Sequence, residues 1–144
     1  MVWMPDPSKT KGRKSVFHNH FWNPIMFAWS PMTMGCLMHD DMGTFADFPT
    51  SYHTDWQWWD ILEYAKVMDL QDFPSGIVPF IQVIDSFDSN RKLGIGFEAS
   101  VSGGKLLVLA MDAEKDIDKR PAARQLLRSI DKYVRGDGFA PRAV

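Results

Sequence analysis

The stretch Tyr52-His53-Thr54-Asp55-Trp56-Gln57-Trp58-Trp59-Asp60 gathers three indoles, two carboxylates, an amide and an imidazole. These are the parts of a carbohydrate site. The C–H faces of a sugar ring pack on indole, while carboxylate, amide and imidazole groups bond its hydroxyls. His53, Asp55, Trp56, Gln57 and Trp58 are therefore the candidate ligand-binding residues. The same residues allow a second reading, in which at least two of the three tryptophans anchor a helix on a sheet and Asp55 caps that helix.

Other chemistry finds fewer parts. Hydrolysis of a glycoside needs two carboxyl groups about 5 to 9.5 Å apart. The three glutamates, Glu63, Glu98 and Glu114, stand outside strand-end settings, and no spacing pairs Asp55, Asp60, Asp85 or Asp112. No catalytic residue is assigned. Gly-x-Gly-x-x-Gly and phosphate-loop patterns are missing, and Leu93-Gly94-Ile95-Gly96 falls inside a predicted strand, so no nucleotide or other cofactor is expected. His18 and His20 could chelate from an extended segment, but neither His39 nor His53 supplies a second pair at metal-ligand spacing, and no metal is expected. Cys36 is the single cysteine. It excludes an internal disulfide and a cysteine-based zinc site, and its apolar run, Met34 to Met38, reads as the setting of a buried structural thiol.

What must position these residues is one domain, since 144 residues can bury one core. With 18 acidic against 16 basic side chains the formal charge is −2, which disfavours nucleic acid as a partner. The uncharged stretch Phe21 to His39 carries Asn23, Pro24, Pro31 and Gly35, so no membrane span is expected. Residues 1 to 20 are rich in Pro, Ser and Lys without periodicity and read as a mobile arm lacking the pattern of a signal peptide. Residues 21 to 140 form the domain, and 141 to 144 a tail. From Phe21 to Met34 aromatics and methionines alternate with Pro and Ser in no period, predicting irregular chain packed by its rings.

The later elements are clearer. Gly35 to His39 predicts a short buried strand. Residues 45 to 55 predict a loop that Thr54 or Asp55 ends by capping a helix bearing Trp56, Trp59, Ile61, Leu62 and Ala65. Ile77 to Ile84 is a β-branched strand whose Pro79 suits a sheet edge or a strand start. Leu93 to Val101 alternates, Ser102-Gly103-Gly104 turns, and Lys105 to Met111 returns, which predicts a hairpin. A final helix takes Asp118 as its cap and Pro121 in its first turn, faces the core with Ala122, Ala123, Leu126, Leu127, Ile130, Tyr133 and Val134, and stops at Gly136. Arg124, Arg128, Asp131, Lys132 and Arg135 make its solvated face.

Several strings then agree in order with one family. Phe48-Pro49-Thr50-Ser51-Tyr52-His53-Thr54-Asp55-Trp56-Gln57-Trp58-Trp59-Asp60, Val83-Ile84-Asp85, Asn90-Arg91-Lys92-Leu93-Gly94, Phe97-Glu98-Ala99, Gly104-Lys105-Leu106-Leu107-Val108 and Arg120-Pro121-Ala122-Ala123-Arg124-Gln125-Leu126 make up the pattern. It resembles the C-terminal region of large bacterial glycoside hydrolase family 2 proteins, the β-galactosidase-like group. The resemblance implies an α/β domain similar to class I glutamine amidotransferases. That is a three-layer, flavodoxin/amidotransferase-like arrangement, here incomplete, with a mixed or mainly parallel sheet and flanking helices.

The resemblance implies neither galactosidase nor amidotransferase chemistry. In such proteins the catalytic barrel and its two glutamates lie upstream, and the amidotransferase nucleophilic cysteine has no counterpart here. The expected role is a non-catalytic accessory domain that contacts carbohydrate or the neighbouring catalytic domain. Alternatives are a stand-alone structural or oligomerisation domain and, last, a glycosidase in its own right. A homodimer is expected, because missing early strands would leave a sheet edge to cover. A periplasmic or extracellular setting would follow from such a parent, with a cytoplasmic one left open.

Overall fold

The computed structural model describes residues 1–4, 12–14, 33–62, 65–85 and 89–142. In chain order its elements are β1 (Val2–Trp3), β2 (Gly12–Lys14), β3 (Thr33–Met38), α1 (Trp59–Leu62), β4 (Lys66–Asp69), β5 (Pro79–Asp85), β6 (Leu93–Val101), β7 (Gly104–Leu109) and α2 (Pro121–Arg135). Single 3₁₀ turns occupy Trp56–Trp58 and Ile117–Lys119.

The predicted hairpin organises the sheet. Ser102 and Gly103 both take positive φ, 50° and 77°, the backbone that a tight turn between twisted strands needs. β6 and β7 then pair in unbroken antiparallel register from Gly96↔Leu109 to Val101↔Gly104. β5 lies antiparallel along the other edge of β6, and β3 antiparallel beyond β5. β4 meets β6 at Gly94 and Leu93, on the edge that β7 uses further along. β4 and β7 thus share one edge of β6 end to end, joined where the Lys66 amide donates to the Ala110 carbonyl at 3.1 Å. The result is a mixed α/β fold on a mixed sheet, in which β1–β7 is the parallel pair among the described residues.

Pro79 opens β5, as its missing N–H requires, although the strand lies between two others. Leu93-Gly94-Ile95-Gly96 is a packing device. The register with β5 skips Ile95, and a Cβ would come within 2.6 Å of the Phe80 ring at Gly96 and 2.7 Å of Pro79 at Gly94. Glycine lets the strands close here.

Two apolar clusters result. On one face α2 lays Ala123, Leu126, Ile130 and Tyr133 over Leu107, Leu109, Leu93 and Ile95, with Trp58, Phe45 and Phe80 filling the remainder. On the opposite face Met68, Leu70, Ile77, Phe97, Ala99, Val108 and Ala110 are buried together. At the rim of the sheet the buried Asp85 carboxylate is bonded by the Arg91 backbone N–H, Nε and Nη2 at 3.0, 2.8 and 3.1 Å, which satisfies its charge.

Some expectations change. β4, a four-residue strand, carries no readable alternation in the sequence and was not foreseen. Two short strands come from the first twenty residues: β1 and β2 have two and three residues, too few to show a period. The tryptophan-bearing helix is one 3₁₀ turn and one α turn. Asp118 does not cap α2. It lies in the preceding 3₁₀ turn, and Arg120 is the N-cap without a side-chain cap bond. Pro121 at the helix start has no N–H to cap. The Arg120 guanidinium instead bonds the Asp60 carboxylate, the Asp60 carbonyl and the carbonyls of Asp112 and Lys115. The irregular aromatic segment expected before Thr33 lies outside the described residues, apart from Thr33 and Met34, which open β3.

Candidate functional site: an aromatic rim and a polar cleft

The segment singled out by composition lies against the outer edge of β3. The Met38 amide donates to the Tyr52 carbonyl at 2.8 Å, the Thr54 amide to the Cys36 carbonyl at 3.3 Å, and His53 bridges to Leu37. The Asp55 carboxylate then accepts from the Gln57 amide at 3.2 Å and starts the 3₁₀ turn, the capping role its position predicts. That turn splits the indoles. Trp56 is 89% exposed, Trp59 45% and Trp58 0%.

Trp58 belongs to the core. Its ring meets Phe45 and Phe48 edge-on at 5.6 and 5.1 Å, and its indole N–H donates to Thr50 Oγ1 at 2.7 Å. Both faces are covered and the polar atom is satisfied, so Trp58 is removed from the set that could touch a ligand. His53 is exposed, with Nδ1 3.0 Å from the Thr54 carbonyl. Gln57 spends its amide nitrogen on the Pro49 carbonyl at 2.8 Å, which leaves the amide oxygen for other partners. Tyr52, which is not among the candidate ligand-binding residues, is 83% exposed. The surface set is thus Tyr52, His53, Asp55, Trp56 and Gln57, with Trp59 half covered.

A second feature lies where β3 ends, β5 begins and the chain leaves α2. A cleft of about 590 Å³ is lined there by His39, Asp41, Glu98, Tyr133 and Arg142, with Met42, Val78 and Pro79 as apolar wall. Its volume falls within the range of about 300–1,000 Å³ common for small-molecule sites. Glu98 pairs with Leu107 in the β6–β7 register and so faces α2. There the Tyr133 hydroxyl donates to Glu98 Oε2 at 2.7 Å. Burial, then the hydrogen bond and charge of Glu98, push the Tyr133 phenol above its ordinary value.

The cleft is braced on its other sides. His39 Nε2 lies 3.0 Å from Gln82 Oε1 across the β3–β5 pair. The Ser100 amide donates to the Arg142 carbonyl at 2.9 Å, which holds the chain after α2 against β6. The loop from 40 to 48 is tied to α2 by Asp47, which accepts from Lys132 at 2.9 Å, and by Ser129, whose hydroxyl donates to the Thr44 carbonyl at 2.9 Å.

Sequence reading missed this cleft because its polar residues come from four separate places in the chain. One signal was available: Glu98 is a lone charge on the inward side of an otherwise apolar strand. Cys36 is buried, and burial alone pushes its thiol up to about 12, which fits the inert role its context predicts. Among the described residues no group of three or more His, Cys, Asp or Glu could hold a metal ion, and no helix is long and apolar enough to cross a membrane. His18 and His20 lie outside the described residues.

A mixed α/β domain with an exposed aromatic rim and a separate polar cleft is the class that fold and geometry define. A family model described as a domain of unknown function, DUF8487, matches residues 1–144, and the chain belongs to that family. No curated protein matches it.

Proposed function

We propose that this chain is a non-catalytic accessory domain of a glycoside hydrolase family 2-like, β-galactosidase-like protein, and that its rim contacts carbohydrate or the neighbouring catalytic domain. The observation that carries this reading is the exposure of Tyr52 and Trp56 on a segment that backbone hydrogen bonds fix to β3. Large aromatic rings carried into water on a fixed backbone present stacking surface, and His53, Asp55 and the Gln57 amide oxygen supply polar partners beside them. On the same reading the sheet would be part of a three-layer, amidotransferase-like unit. Its two buried faces support that extension, while its antiparallel ladders depart from a doubly wound parallel sheet. Such a parent would place the domain in the periplasm or outside the cell.

A glycan array on the purified chain tests the ligand half. The expected outcome is a saccharide whose binding quenches Trp fluorescence and is lost in Trp56→Ala and Tyr52→Ala proteins that remain folded. A blank from a folded protein eliminates carbohydrate and leaves the catalytic domain as the contact. Light scattering on the same sample reads the expected homodimer, and a strictly monomeric mass at high concentration removes that part of the proposal.

A further inference from the structure

We propose that the cleft between the end of β3, the start of β5 and the segment after α2 binds a small ligand through a primary ammonium group carried on an aliphatic or pyranose frame. This inference does not rest on the aromatic rim. Its centre is Glu98, which is held by a hydrogen bond from a tyrosine that is itself packed in place. Tyr133 donates to one carboxylate oxygen at 2.7 Å, and the Tyr133 ring is itself held edge-on against Phe139 at 5.4 Å. A carboxylate offers about four acceptor positions and Tyr133 takes one. The others belong to a group that is pre-oriented before any ligand arrives, which lowers the entropic cost of binding.

Charge selects the ligand class. The residues lining the cleft include two acids, Asp41 and Glu98, against one arginine, Arg142, while the His39 imidazole is engaged with Gln82. An anion would meet two like charges for one opposite, whereas an ammonium group meets the reverse and can donate three hydrogen bonds. Size excludes a bare ion as the natural occupant, since about 590 Å³ is far more than one coordination shell needs. The wall of Met42, Val78 and Pro79 suits the carbon frame of an amine.

The full chain, ¹⁵N-labelled, would be titrated with 1,4-diaminobutane and with glucosamine, each beside its neutral counterpart, 1,4-butanediol and glucose, and followed by amide shifts and calorimetry. Saturable binding of at least one amine is expected, with shifts centred on residues 39–42, 76–79, 98 and 138–142, and the neutral counterpart at least tenfold weaker. The stronger of the two amines identifies the frame. Glu98→Gln, which keeps the shape and the acceptor for Tyr133, should weaken binding at least tenfold. Asp41→Asn, at an exposed position, is the second variant should Glu98→Gln fold poorly, and it should weaken binding severalfold. Trp56→Ala should leave the amine-induced shifts at these cleft amides unchanged, which separates this site from any saccharide contact at the rim. Read at the amides of residues 39–42, 76–79, 98 and 138–142, equal binding of amine and neutral analogue, no saturable binding of either amine, or full affinity in both carboxylate variants would overturn the proposal.

Discussion

The rim and the cleft are built in opposite ways. Everything in the rim comes from one continuous stretch, Tyr52 to Trp59, pinned at the outer edge of the sheet. The cleft takes its residues from the chain just after β3, the start of β5, the middle of β6, the last turn of α2 and the chain beyond it. A dense local motif is visible in a sequence and yet is half structural, because one of its indoles must anchor the segment. A dispersed site is invisible locally, and each of its residues can be fixed by a different element.

The largest effect should come from the anchor that the rim shares with the core. Trp58→Ala removes a fully buried ring and the indole bond to Thr50, so a loss of about 3–5 kcal/mol is expected in urea unfolding. A loss below about 1 kcal/mol would mean that the segment is not held from within. Next comes the close contact between β5 and β6. In Gly96→Ala the new methyl would meet the Phe80 ring at 2.6 Å, and about 1–3 kcal/mol should be lost through displacement of β5. The cleft, whose wall includes Pro79 of β5, should respond through a weaker amine affinity of that same variant.

Alkaline pH gives a smaller contrast between the two regions. The unfolded chain releases the Cys36 proton near the ordinary thiol value of about 8.5 and the Tyr133 proton near about 10. The folded chain holds the thiol proton up to about 12 and also raises the phenol. The native state therefore binds more protons through this window, and stability should be complete below about pH 8 and decline as the pH rises. Cys36→Ala should flatten the first part of that decline and Tyr133→Phe the second, measured as thermal midpoints against pH. The smallest effect should be at Trp56. Trp56→Ala should shift stability by no more than about 0.5 kcal/mol, and a larger cost would show that the exposed indole is covered in solution, by a second copy for instance.

Legibility followed the range over which each element is determined. The β6–β7 hairpin, the strand begun by Pro79 and the face of α2 were readable because alternation, turn residues and helical spacing are local. β4 was not, since Lys66 to Asp69 becomes a strand through its pairing with β2 and β6. The cap of α2 was misassigned because Asp118 has the right chemistry, while the competing use of Arg120 depends on Asp60, sixty residues away. Within the candidate site, Asp55 as a cap could be foreseen from sequence. The division of Trp56 from Trp58 could not, because it depends on where Phe45 and Phe48 come to rest.

The four bonds of Arg120 also bear on how the molecule opens. One guanidinium joins α1, the turn from Asp112 to Lys115 and the start of α2, segments that otherwise share few backbone bonds. Hydrogen exchange at these places should then follow a single protection factor, with amides of α1 and of residues 115–124 released together in one cooperative event. Replacing Arg120 with Leu should separate them into independently fraying pieces, although none of those amides bonds the side chain that was removed.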